Sequence, residues 1–393
     1  MATFGAQLRE LRTARGLSLS ALADQLHYSK GYLSNLERGN KRPNEDLARL
    51  CDDALGARGD LIAAAHLDAM ASRDATPWQT AELISRIQAS DTTPGTLDML
   101  AATVNELCCE YPYRDAADLR SEAHGWLNHV GRLLKKPVGL REHTELLVNA
   151  GWLALLIGCL EYDMGMRAAA ESTRAAAKQI GDEAGHAEIT GWSWEMAAWF
   201  ALTQGRYRDV LAASDAGRVT DRGHSVHVQL IAQEAKARAR LGDVEGLTAD
   251  LELGREILAS LPRPQRTDHH FVVDPDKWAF YAMDAYRLSG DEPHAREYAG
   301  IVLDTCITPD GIERAPMRVA EARLTLATIA SRDGDLDAAV DMGLKGINGH
   351  RRRSLPSLLL VAGELDSELQ KRYPHEGPTN EYREALRALH RPD

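Results

Sequence analysis

The 393-residue sequence predicts an all-α protein: five short N-terminal helices, then a solenoid of stacked helical hairpins. Three observations lead there. Ala and Leu dominate a composition that is 44% hydrophobic but only 6% aromatic, which favours helix over sheet. The first seventy residues are cut into short helices by capping residues and glycines. Further on, a unit of about forty residues recurs, each copy turning at a glycine. The length suits two or three domains. The boundaries read as 1–70 for the head, 71–96 for a linker and connecting helix (Pro77 and the run DTTPGT mark breaks), 97–363 for the repeats and 364–393 for a C-terminal capping helix pair.

In the head, Phe4, Leu8 and Leu11 follow helical spacing and Gly16 stops the helix. Ser18 is placed to cap the next helix, LSALADQL, and Ser29 to cap the third, KGYLSNLERG, which Gly39 ends. Leu47, Leu50 and Leu55 mark a fourth helix, and Leu61 to Met70 a fifth. Two short helices joined by a tight turn make a helix-turn-helix, whose second helix enters the major groove of DNA. With Leu33 and Leu36 turned inward, the outer face of the third helix carries Lys30, Gly31, Tyr32 and Asn35, with Ser34 and Arg38 beside them. Asn pairs with adenine and Lys with guanine, and Tyr packs on a thymine methyl. The charges and backbone N–H groups of the following loop, Arg38 to Arg42, suit phosphate.

The run GLSLSALADQLHYSKGYLSNLERGNKRP resembles the helix-turn-helix of the phage-repressor (XRE, Cro/CI-like) family over roughly residues 4–66. The resemblance implies base-reading positions at Lys30, Tyr32 and Asn35, and phosphate-side positions at Ser34, Arg38, Asn40, Lys41 and Arg42. Two residues depart from the family pattern: Leu19 stands where Gln is frequent, and His27 where the turn often has Gly. The first removes a usual DNA contact.

In the body, Gly165, Gly205, Gly242, Gly290 and Gly334 each follow an apolar helix and precede an Ala-rich one, at spacings of 40, 37, 48 and 44 residues. Each unit reads as a helical hairpin in which Gly provides the left-handed turn. Small residues seven positions before the glycine (Gly158, Ala198, Ala235, Ala327, with Met283 the exception) and Ala170, Ala295 and Ala339 five after it permit close helix packing. The pattern resembles degenerate tetratricopeptide repeats, best in 194–214 and 279–299. Residues 97–150 copy it poorly, as one or two further hairpins. Stacked hairpins make a superhelix with a concave face lined by the first helix of each unit. Counting from the turn glycines puts Trp192, Glu195, Trp199, Gln229, Lys236, Lys277 and Asp284 on that face. Such a mixture suits a peptide or a small amphipathic ligand. The Pro-bounded insertion 259–277 reads as a groove-flanking loop or a tolerated excursion.

Phosphate-loop, dinucleotide, zinc-protease and hydrolase motifs are absent from the sequence, and no catalytic, metal or cofactor residue is assigned. Asp268-His269-His270 with Asp274 is a weak metal set, since adjacent histidines on a loop rarely supply tetrahedral geometry. Five Cys without a CxxC argue against a disulfide framework, so a reducing cytoplasm is expected. The longest nearly uncharged run, Leu146 to Leu160, is shorter than the roughly 20 residues of a membrane span, and no membrane partner is expected. Charge is uneven. Residues 1–43 hold seven Lys/Arg and three acidic residues, a net +4; the whole chain is −12, so the remainder carries −16. A basic head on an acidic body suits contact with a polyanion at one end. The expected function is a non-enzymatic, dimeric, operator-binding transcriptional regulator, whose repeats dimerise, sense a peptide or small-molecule effector, or both. The alternative is a protein-interaction adaptor in which the head is a tether.

Overall fold

The computed structural model describes residues 3–26, 28–39, 41, 43–66, 94–136, 138–220, 223–348 and 356–389. Backbone packing separates two compact units, Met1–Ser90 and Asp91–Asp393. Among the described residues helix is the only extended regular structure; Ile307 and Glu313 form an isolated bridge. The fold is all-α, as the composition predicts. Most of the expected linker lies outside the described residues, and its last three positions belong to a helix that starts at Pro94.

The first unit contains α1 (Phe4–Ala14), α2 (Leu19–Leu26), α3 (Lys30–Glu37), α4 (Glu45–Leu55) and α5 (60–66). Its caps are local chemistry. Ser18 Oγ accepts from the Ala21 N–H at 3.0 Å, Ser29 Oγ from Tyr32 at 3.2 Å and Asn44 Oδ1 from Leu47 at 2.9 Å. Each occupies a donor that the first helical turn leaves unpaired. Phe4, Leu8, Leu22, Leu33, Leu36, Leu47, Leu55 and Leu61 form one core. Each such side chain stabilises the fold by about 1.5–3 kcal/mol on burial. Leu50 is instead 45% exposed, because Leu47, Cys51 and Leu55, at i, i+4 and i+8, take the inward stripe of α4. Buried Asp52 receives the N–H groups of Gly59 (2.8 Å) and Leu61 (3.0 Å) and so fixes the start of α5. Predicted residues 67–70 of that helix lie outside the described residues.

The second unit is a series of helical hairpins: α6 (Pro94–Glu110) with α7 (Ala116–Leu133), α8 (Leu140–Asp163) with α9 (Arg167–Ala184), and α10 (Ala187–Thr203) with α11 (Tyr207–Thr220). There follow α12 (Val226–Leu241) with α13 (Val244–Ser260), α14 (Pro275–Ser289) with α15 (Glu292–Cys306), and α16 (Pro316–Asp333) with α17 (Leu336–Ile347). The last pair is α18 (Pro356–Arg372) with α19 (Gly377–Leu389), so the capping pair expected from 364 begins earlier. The five turn glycines adopt φ of 76°, 72°, 78°, 82° and 93°, the left-handed region where a Cβ is strained. Ala198, Ala235, Ala327, Ala170, Ala295 and Ala339 are all buried between helices. Helix α8, with 24 residues, is long and apolar enough by composition to span a membrane; 67% of its apolar window is buried inside the unit, where it serves as a core helix.

The first helices of successive hairpins pack side by side as an inner row, from α6 to α18. That row curls until its members meet again: Trp199 on α10 donates its indole N–H to Ser357 Oγ on α18 at 3.1 Å. Arg240 and Arg287 both pair with Glu364 on α18. The insertion is tied in as well. The His270 N–H donates to the Cys108 carbonyl at 3.2 Å, the Val273 N–H to Ser225 Oγ at 3.0 Å, and Arg266 pairs with Glu106.

Candidate functional site

Helix α3 presents a polar edge on a fixed base. Leu33 and Leu36 anchor it at 0% and 1% exposure, while Lys30, Arg38 and Lys41 are exposed and Ser34 and Asn35 half-buried. Among the described residues, the Lys30, Asn35 and Arg38 side chains make no intramolecular hydrogen bond. Tyr32 is half-buried against Tyr28 (ring centroids 5.5 Å apart), and the Lys41 ammonium lies 5.0 Å from its ring centroid. Asn40, Arg42 and His27 lie outside the described residues. Leu19, where a polar contact is frequent in similar domains, packs at the edge of the core.

The sequence reading missed what holds α3 in place. Arg12 on α1 donates to both carboxylate oxygens of Glu37, at 2.5 and 2.9 Å, and to the Leu17 carbonyl at 2.8 Å. The two side chains are 12% and 8% exposed. At Gly5 the backbones of α1 and the end of α3 approach so closely that a Cβ would stand 2.2 Å from the Leu36 carbonyl oxygen.

The curled inner row of the second unit lines a partly open cavity of about 420 Å³, within the range of pockets for drug-sized ligands. All seven groove candidates line it: Trp192, Glu195 and Trp199 from α10, Gln229 and Lys236 from α12, and Lys277 and Asp284 from α14. So do residues that the sequence reading did not select: Gln233, Tyr281, Arg318 and Glu321, together with Thr267 to His270 of the insertion. The insertion is therefore a wall of the cavity. Within it the Phe271 N–H donates to His269 Nδ1 at 3.2 Å, Asp268 pairs with Arg266, and Asp274 caps α14 by accepting from the Lys277 N–H at 2.7 Å. Burial pushes the His269 imidazole down to about 4.

Several buried charged side chains line the cavity. Glu195 Oε1 accepts from Gln229 Nε2 (3.0 Å) and Gln233 Nε2 (2.6 Å), and burial raises its carboxyl above the ordinary range. Lys277 Nζ donates to the carbonyls of His270 (2.7 Å) and Val272 (2.9 Å); burial, and then repulsion from Arg318, bring it down to about 7. Asp284 takes Lys236 at 2.8 Å and Arg287 at 2.5 Å. Burial works against its charge, but these two cations overcome that and hold it well below the carboxylate range. Burial, and then Asp284, push the Glu321 carboxyl up to about 7.

Residues 3–65 match the family described as "Helix-turn-helix domain". The chain therefore carries a helix-turn-helix domain, and α2 and α3 are its two motif helices. Comparison with curated proteins returns no match. The fold thus comprises a helix-turn-helix head of the kind that supports DNA binding, and consecutive packed helical hairpins consistent with a solenoid.

Proposed function

We propose that the protein is a sequence-specific transcriptional regulator of the XRE type, cytoplasmic and non-enzymatic, that binds its operator as a homodimer. The observation that carries this reading is the polar edge of α3, with the Lys30, Asn35 and Arg38 side chains free of hydrogen bonds among the described residues, on a helix anchored by Leu33 and Leu36. In the major groove, Asn35 would pair with adenine and Lys30 with guanine, while Arg38 and Lys41 meet phosphate. One recognition helix covers only a half-site, so two heads about one helical turn apart make a full reader. The hairpin domain, read as tetratricopeptide-like, mediates dimerisation, senses a peptide or small molecule, or does both. A signal acts by binding one arrangement of the dimer better than the other, which shifts its population.

The test is selection of bound sequences from a random duplex pool by the full chain, followed by titration at several salt concentrations. Selective binding that Asn35→Ala and Lys30→Ala weaken in a base-dependent manner supports the reading. Binding that ignores sequence, or survives both changes, would leave the head as a tether for a protein-interaction adaptor.

A further inference from the structure

We propose that the cavity of the hairpin domain is a receptor for a cationic amphiphile, a molecule that carries an ammonium group on an aromatic body. This deepens the sensing role proposed above, but the binding itself stands on the cavity alone.

Three buried acceptor groups that line the cavity have no donor among the described residues. Glu321 is 5% exposed and lines the cavity, and among the described residues its carboxylate has neither a hydrogen bond nor an ion pair. The cations nearest to it are committed elsewhere: Lys236 to Asp284, and Arg287 to Asp284 and Glu364. Gln229 and Gln233, at 6% and 3% exposure, add two more acceptors. A carboxylate only accepts, so both amides turn their NH2 groups to Glu195. Their carbonyl oxygens face away, buried and without a donor. A buried acceptor left without a donor is costly, and an unpaired buried charge more so.

Most of the buried bases are not in the same position. Lys277 is spent on two backbone carbonyls, Arg287 on two carboxylates, and Arg318 lies 3.9 Å from Asp274. Of these three, Arg318 alone makes no side-chain hydrogen bond among the described residues, so an anionic ligand would meet one guanidinium that already faces Asp274, and a neutral ligand would leave the Glu321 carboxylate without a partner. The walls already accommodate an ammonium. Lys236 Nζ sits 4.8 Å from the Tyr281 ring centroid and 5.6 Å from that of Phe280, an attraction between a cation and the negative face of a ring. Trp192 and Trp199 supply further aromatic surface for the ligand body.

The experiment uses three indoles that differ in their head group: tryptamine (ammonium), tryptophol (hydroxyl) and indole-3-propionic acid (carboxylate). Each is titrated calorimetrically into the full-length protein at pH 7.5. The expected result is tryptamine binding at least tenfold tighter than either other compound, and at least tenfold weaker binding to Glu321→Gln. The Glu321→Asp variant, which keeps the charge but shortens its reach, should fall between the two; it also serves if the Gln variant does not fold. Equal or tighter binding of the acid or the alcohol overturns the proposal. So does absence of tryptamine binding, or wild-type affinity in folded Glu321→Gln. Operator binding is measured in parallel. Tryptamine binding with no effect on DNA affinity supports the receptor and removes its signalling role. Tryptamine binding by a protein inert towards DNA supports the receptor and removes the regulator reading alone.

Discussion

Replacing Glu37 with Ala should destabilise the helix-turn-helix unit strongly. Glu37 ends the recognition helix, and its carboxylate accepts two of the three hydrogen bonds that Arg12 makes. At 12% and 8% exposure the pair is nearly dry, so removing Glu37 strands a guanidinium against the protein. Breaking a buried pair from one side costs about 3–5 kcal/mol; the residual exposure of Arg12 places this case near the lower end. A domain of this size rarely has more than about 3–5 kcal/mol in total, so a loss of about 3 kcal/mol brings it close to unfolding. For 60–100 residues that is a fall of roughly 12–24 °C in its melting temperature. The assay is thermal melting of the full chain followed by amide exchange on α1 and α3. The pair's own worth comes from the double exchange Arg12→Met with Glu37→Leu. That variant should recover most of the loss, because two apolar groups leave no stranded charge. A Glu37→Ala protein within about 1 kcal/mol of wild type would refute the clamp, as would a double variant less stable than the single one.

Three further outcomes follow. Asn35→Ala should lose about 1–3 kcal/mol on the preferred operator and relax specificity at one base pair, whereas Lys41→Ala should weaken all sequences alike and lower the salt slope by about one; titrations at several salt concentrations separate the two. Gly5→Ala, whose Cβ would meet a backbone carbonyl at 2.2 Å, should destabilise the head by about 1–3 kcal/mol, measured by denaturant midpoint, with operator affinity falling in step. Glu321→Gln should stabilise the hairpin domain above pH 7. The folded carboxyl titrates near 7 against 4.5 unfolded, so the stability it contributes is full below 4.5 and lost as pH rises through 7. Removing the charge should recover up to about 3 kcal/mol at pH 8 and nothing near pH 4.5, read from urea midpoints across that range.

Much of the fold was written locally. Ser18, Ser29 and the turn glycines act within a few residues of themselves, so the sequence exposes them directly. The first hairpin copies the pattern poorly for an equally local reason: its turn, around Pro112-Tyr113-Arg114, has no glycine at positive φ. What escaped notice depends on distant partners. Arg12 and Glu37 lie 25 residues apart, and Trp199 and Ser357 lie 158 apart. No periodicity announces either pair. The closure of the inner row, and hence the existence of the cavity, rests on contacts of that second kind.

Glu321 is a different case, because a signal for it was present. Trp192, Gln229 and Lys277 each stand thirteen residues before their turn glycine (Gly205, Gly242 and Gly290), and Glu321 stands thirteen before Gly334. A fixed count from the turn is a fixed angle around the helix, so all four side chains reach the same inner face. The repeat thus specifies the position and leaves the chemistry free: indole, amide, ammonium and carboxylate occupy one register in successive hairpins. A purely structural repeat would fill that register with apolar residues, since burying polar groups there costs free energy. Trp152 holds the same register before Gly165; three polar occupants of five, with Glu321 lacking a partner among the described residues, argue that packing of the solenoid alone does not shape this face.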